Sequence, residues 1–145
     1  MDRGAKKPME RGETYVLDTI AYVSHLLGVL PEKARKVIEG GERGDCRLFL
    51  PSISLGEATY IFEKARKVRG RTADESLVWE MLDRLERGAQ IKVEELDFVD
   101  WRRVADLPYR DLHDRMIVAK TLRHNAILVT NDKEITESSI VQTLW

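Results

Sequence analysis

The chain has 145 residues, with 24 Lys+Arg against 25 Asp+Glu for a net charge of −1, and 43% of its residues are hydrophobic; this suits one core and is short for two. Cys46 is the only cysteine and His25, His113 and His124 show no Cys/His zinc spacing, which excludes an intrachain disulfide and a zinc finger and fits a reducing cytoplasm. The longest charge-free stretch, Thr19 to Pro31, falls short of the roughly 20 apolar residues of a membrane span.

Residues 1–13 mix Arg3, Lys6, Lys7 and Arg11 with Asp2, Glu10 and Glu13 and contain no apolar run, so they are expected to form a flexible tail. Thr14 to Asp18 is a β-rich run ending in a carboxylate, and Thr19 to Leu27 suits a helix stopped by Gly28. Pro31 opens a second expected helix and Gly40-Gly41 closes it. Arg47 to Pro51 reads as a second strand; Ser52 then caps a helix expected to run to Gly70. Asp74 caps an amphipathic helix ending at Gly88, Gln90 to Leu96 suggests a third strand, and Asp97 to Leu107 a short helix stopped by Pro108. Asp111 opens the last long helix, Ala126 to Thr130 is an apolar strand, and a short turn or helix from Asp132 precedes a final strand around Ser139 to Leu144. Strands alternating with helices imply an α/β fold, a mostly parallel sheet flanked by helices on both faces.

In open α/β sheets ligands bind outside the carboxyl ends of the strands. Asp18 and Asp132 follow strands, and Glu57 and Asp114 lie in the first turns of helices. Asp18, Asp111 and Asp132 also stand where a capping carboxylate is ordinary structure. Glu57 and Asp114 share helix faces with Ile53, Ile61, Ile117 and Val118, and a carboxylate aimed inward needs a partner. Four acids together repel one another unless a cation lies between them, and an all-oxygen set suits Mg²⁺ or Mn²⁺.

The segments Tyr15-Val-Leu-Asp-Thr19, Leu50-Pro-Ser-Ile-Ser-Leu-Gly-Glu-Ala58, Leu112-His-Asp-Arg-Met-Ile-Val-Ala119 and Ile127-Leu-Val-Thr-Asn-Asp132 resemble, in this order and spacing, the PIN-domain nucleases, in particular the VapC-like toxins of toxin–antitoxin pairs. The resemblance covers Thr14 to Trp145 and implies one PIN domain over 14–145. It implies that Asp18, Glu57, Asp114 and Asp132 are the catalytic and metal-holding acids, with Thr130 and Asp111 in supporting roles. It further implies Mg²⁺ or Mn²⁺ as cofactor, single-stranded or looped RNA as substrate, a protein antitoxin as partner, and a homodimer. The helices between Ser52 and Gly88 are its candidate contacts, although their apolar faces also suit the core. A structural role for His113 is favoured, because a metal-activated water needs no imidazole base.

Lys64, Arg66, Lys67, Arg69 and Arg71 form the densest basic segment, which reads equally as a solvated helix end or as phosphate-contacting; Arg115 is a further candidate for phosphate contact or for an ion pair with an acid. Trp79, Trp101 and Trp145 are expected in the core or an interface. The competing readings are a PIN-like RNA- or protein-binding module without cleavage, and a phosphotransferase using Asp18 as acceptor. The second lacks the further Asp two residues on that its pattern requires, and Gly40-Gly41-Glu-Arg-Gly44 lacks dinucleotide-binding spacing.

Overall fold

The computed structural model describes residues 12–88 and 90–145, so the tail expected over residues 1–13 lies outside the described residues as far as residue 11. Gly12 and Glu13 are already tied to the fold: the Gly12 N–H donates to Asp45 O at 3.2 Å and Glu13 O accepts from the Arg47 N–H at 2.9 Å. The elements that follow are β1 (Thr14–Leu17), α1 (Thr19–Leu27), α2 (Glu32–Glu42), β2 (Arg47–Pro51), α3 (Ser52–Glu63), β3 (Lys67–Val68), β4 (Arg71–Thr72), α4 (Leu77–Glu86), β5 (Ile91–Glu94), α5 (Phe98–Asp106), α6 (Leu112–Arg123), β6 (Ile127–Val129), α7 (Lys133–Ser138) and β7 (Thr143–Leu144).

Five strands form one parallel sheet in the order β5-β2-β1-β6-β7. Alternate residues of β1 feed opposite faces, as the two-residue period of a strand requires. Tyr15 and Leu17 join Leu48, Leu50, Ile127 and Val129 beneath Ala21, Ile38, Phe62 and Met81 of α1–α4. Val16 joins Phe49 and Leu128 beneath Ile117 and Val118 of α6 and Ile135 of α7. The single α/β domain with helices on both faces is therefore built as the strand and helix pattern predicts. The chain adds β2 on one side of β1 and later β6 on the other, which makes the carboxyl end of β1 the switch point where such sheets bind ligands. Among the described residues no helix is long and apolar enough to cross a membrane.

Several local expectations are corrected. Gly40 and Gly41 do not end α2 but lie inside it and are buried; a Cβ on Gly41 would stand 2.3 Å from the Leu48 side chain, so this glycine lets helix and strand approach closely. Ser52 does not cap α3. Pro51 still pairs with Glu94 in the sheet, the chain turns directly into the helix, and the Ser52 hydroxyl bonds Glu95 Oε2 at 3.2 Å instead. The expected helix to Gly70 stops at Glu63, and a two-stranded hairpin follows. Arg69 and Gly70 at its tip have φ of 50° and 85°, the left-handed pair that a two-residue hairpin turn demands.

A charge network, buried at Asp100 and Lys120, ties α5 to α6. Asp97 and Asp100 form a capping box on α5, Lys120 Nζ lies 3.0 Å from the fully buried Asp100 carboxylate, and Arg123 bridges Asp97 at 2.8 Å and Asp100 at 3.2 Å. Burying an unpaired carboxylate is costly, so these two cations are what allow Asp100 to be interior.

Candidate active site

Asp18 occupies the switch point. It caps α1, with Oδ1 accepting the Ala21 N–H at 2.7 Å, and its Oδ2 accepts from the buried Thr130 hydroxyl at the end of β6. Both oxygens of this carboxylate thus hold protein donors, Oδ1 the helix cap and Oδ2 the Thr130 hydroxyl. Asp132 repeats the arrangement at α7, accepting the Ile135 N–H at 2.9 Å while its own N–H donates to Thr130 Oγ1 at 3.0 Å. Thr130 therefore links the two strand-end acids.

Glu57, one turn into α3, is held from two sides: the Thr19 hydroxyl donates to Oε1 at 2.5 Å, and His113 Nδ1 stands 2.6 Å from Oε2. Asp114 lies in the first turn of α6. Asp111 caps that helix through the N–H groups of His113 and Asp114, at 2.7 and 3.2 Å, and does not line the groove that the other acids share.

Asp18, Glu57, Asp114 and Asp132 line one open groove of about 810 Å³, with Thr19, His113 and Asn131 beside them, Ile53, Ile61 and Ile117 as apolar wall, and Tyr60 and Arg66 also on its lining. Burial pushes the Asp18 carboxyl up to about 6, opposed by its bonds from Thr130 and Ala21 and aided by the charges of Asp132 and Glu57. Asp114 is likewise pushed up to about 6, by burial first and then by Asp132, Asp111, Glu134 and Glu57. Among the described residues no Lys or Arg pairs with any of the four groove acids. Mutual repulsion among partly desolvated oxygen donors is the condition a hard dication relieves. Among the described residues, however, no three acid, histidine or cysteine side chains stand in a ready-made cage for one ion. The hydrogen bonds give the reason: Asp18 and Glu57 are turned toward Thr130, Thr19 and His113. The donor chemistry fits a hard cation, while the carboxylates of Asp18, Glu57 and Asp132 hold protein donors.

The basic candidates separate. Arg66 lines the groove; Lys64, Lys67, Arg69, Arg71 and Arg115 do not. Arg71 donates to Leu27 O at 2.7 Å and Arg69 to Val29 O at 2.8 Å, so the hairpin clasps the C-terminal end of α1, where cations suit the helix dipole. These two arginines do not belong to a solvated end of α3, since α3 has already ended. Arg115 points at Val104 O, 3.4 Å away, and makes no ion pair with a groove acid. Trp79 is 73% and Trp101 40% exposed, which removes both from the core, while Trp145 packs against the core under the Arg69 guanidinium, 5.1 Å above its ring. The sequence reading missed Thr19 as a partner of Glu57 and Tyr60 as a groove residue. Tyr60 follows Glu57 by three positions, a spacing that shares a helix face and was a usable signal.

A profile of the PIN domain matches residues 15–139. No curated protein matches the sequence. Among solved structures, the chain is similar to VapBC2 from Rickettsia felis bound to a DNA fragment from its promoter, at 19% identity and a TM-score of 0.69, covering 91% of this chain and 98% of that one. It is similar to a toxin–antitoxin complex from Klebsiella pneumoniae, at 14% identity and a TM-score of 0.63 over 90% and 96% of the two chains. VapBC-1 from nontypeable Haemophilus influenzae is matched at 16% identity and a TM-score of 0.56, over 90% and 96%. At such identities these likenesses concern the fold. The profile match, which takes in four of the five sheet strands and all four groove acids, places the chain in the PIN-domain family.

Proposed function

We propose that the protein is a metal-dependent endoribonuclease and the toxin of a type II toxin–antitoxin pair. The observation that carries the reading is the convergence of Asp18, Glu57, Asp114 and Asp132 on one groove without a pairing Lys or Arg among the described residues, in a PIN-domain chain. In this reading the four carboxylates would hold Mg²⁺ or Mn²⁺, which would supply water activation and charge neutralisation at the phosphodiester. Thr130 fixes Asp18 and orients the backbone of Asp132. Thr19 and His113 keep both Glu57 oxygens on the groove side of α3. The substrate is single-stranded or looped RNA, cut to leave a 5′-phosphate and a 3′-hydroxyl.

The toxin assignment takes its support from neighbours that are themselves toxin–antitoxin complexes. A cognate antitoxin is accordingly the proposed protein partner. A homodimer is proposed through the α3–α4 side, where Trp79 stands exposed although Ala58, Phe62, Val78 and Met81 of the same helices belong to the core. A second reading, a PIN-fold binding module without cleavage, is favoured by one observation, the lack of a ready-made cation cage among the described residues.

One experiment separates the two. A mixed pool of structured and single-stranded RNA is incubated with the protein in Mg²⁺, Mn²⁺ or EDTA, beside an Asp18→Asn/Asp114→Asn double variant. Cleavage that needs metal and disappears in the variant is expected. Cleavage persisting in EDTA or in the variant would overturn the assignment, and RNA binding without cleavage or Mn²⁺ uptake would establish the binding module.

A further inference from the structure

We propose that Tyr60, Arg66 and Lys64 form a nucleotide subsite on the rim of the acidic groove: Tyr60 stacks on a base of a single-stranded nucleic acid, and the two cations take the flanking phosphates. This rests on the nuclease reading above and deepens it.

Tyr60 lies one turn beyond Glu57 on α3 and lines the same groove. Its neighbours Ala58 and Phe62 are fully buried, yet its own side chain is 51% exposed, so the core does not account for it. The Arg66 guanidinium carbon stands 5.3 Å and the Lys64 ammonium 5.6 Å from the ring centroid. The end of α3 sets this arrangement. Ala65 adopts φ 46°, while the N–H groups of Ala65 and Arg66 return to Phe62 O and Ile61 O at 3.0 and 3.1 Å, which ends the helix and folds Arg66 back over Tyr60.

The charge pattern points to the same ligand. A polyanion approaching four acids needs cations beside them, and of the six basic candidates three, Arg69, Arg71 and Arg115, donate to backbone carbonyls away from the groove. Arg66 lines the groove, and Lys64 shares its aromatic neighbour. An exposed ring with two cations over it joins the elements with which proteins hold single strands, a π-surface of ring and guanidinium for a base and positive charge for the backbone.

The test uses fluorescence anisotropy in Mg²⁺ buffer, with the Asp114→Asn variant as background so that strands survive. The probes are a fluorescein-labelled single-stranded RNA of about 12 nucleotides, a length within known single-strand site sizes, and a tetrahydrofuran abasic strand of equal length. Tyr60→Ala is expected to weaken RNA binding about tenfold and Tyr60→Phe to leave it unchanged. The abasic strand is expected to bind the background protein equally well with and without Tyr60→Ala. Arg66→Ala is expected to reduce the slope of log affinity against log salt by about 0.7. Tyr60→Ala that binds RNA as tightly as its background, or that loses RNA and abasic strand alike, would overturn the subsite. If the unsubstituted enzyme cleaves RNA while either of those results is obtained, the subsite alone fails; if it neither binds nor cleaves, both readings fail.

Discussion

Two groups of acids on this molecule are treated in opposite ways. Between α5 and α6, Asp97 and Asp100 are met by Lys120 and Arg123 within 3.2 Å, and the Arg123 guanidinium holds the Asp97 carboxyl well below the usual range. In the groove, Asp18 and Asp114 receive hydrogen bonds or neighbouring carboxylates but no Lys or Arg partner among the described residues, and both are pushed up to about 6. The chain does possess cations for pairing; in the groove they stay at the rim. The difference teaches that acid content alone says little, and that an acid cluster left uncompensated in one place and compensated in another singles out the groove as the place to test for a bound cation.

The sharpest way to break the comparison is to take a cation from the compensated group. Lys120→Ala leaves Asp100 fully buried with Arg123 as its remaining cation, and is expected to destabilise the fold by about 3 kcal/mol in urea unfolding. An unchanged midpoint would mean that the network is decorative. The groove should respond with the opposite sign. Asp114→Asn removes a charge that burial disfavours first and that Asp132, Asp111, Glu134 and Glu57 then oppose, so in EDTA at neutral pH it is expected to stabilise the protein by roughly 1 kcal/mol after allowance for solvent screening. Mg²⁺ should raise the thermal midpoint of the unsubstituted protein more than that of this variant, which differential scanning fluorimetry can read. The smallest effect concerns Asp97. Its carboxyl is depressed in the fold, so the stability it contributes is present above its unfolded pKa, near 3.9, and is lost as pH falls below that value. Asp97→Asn can still cap α5 but cannot titrate in this way, and the acid limb of the stability–pH curve should become shallower.

What the sequence revealed follows the range of the interactions involved. The order of strands and helices, and the acids at strand ends, depend on local periodicity and on one residue following another, as in Leu17-Asp18 and Val129-Thr130. The corrections come from contacts that hydrophobic periodicity does not encode, some of them short in sequence. Gly40-Gly41 reads as a helix stop until Leu48 is seen against it. Arg69-Gly70 turns a hairpin usually signalled by Asn-Gly, and the arginine hides that signal. Thr19 and His113 reach Glu57 from 38 and 56 residues away, so the groove acids were legible individually while the clamp on Glu57 was not.

The pairing of β1 with β6 also has a consequence for biosynthesis. Asp18 is made before its Thr130 partner, which lies 112 residues downstream, and the Asp18 backbone N–H is received by Val129 O. A nascent chain that has emerged only through α5 contains neither Asp114 nor Asp132, and β1 has no neighbour on that edge. The groove is thus completed only when the C-terminal strands dock, and a truncated translation product ending before β6 cannot assemble it.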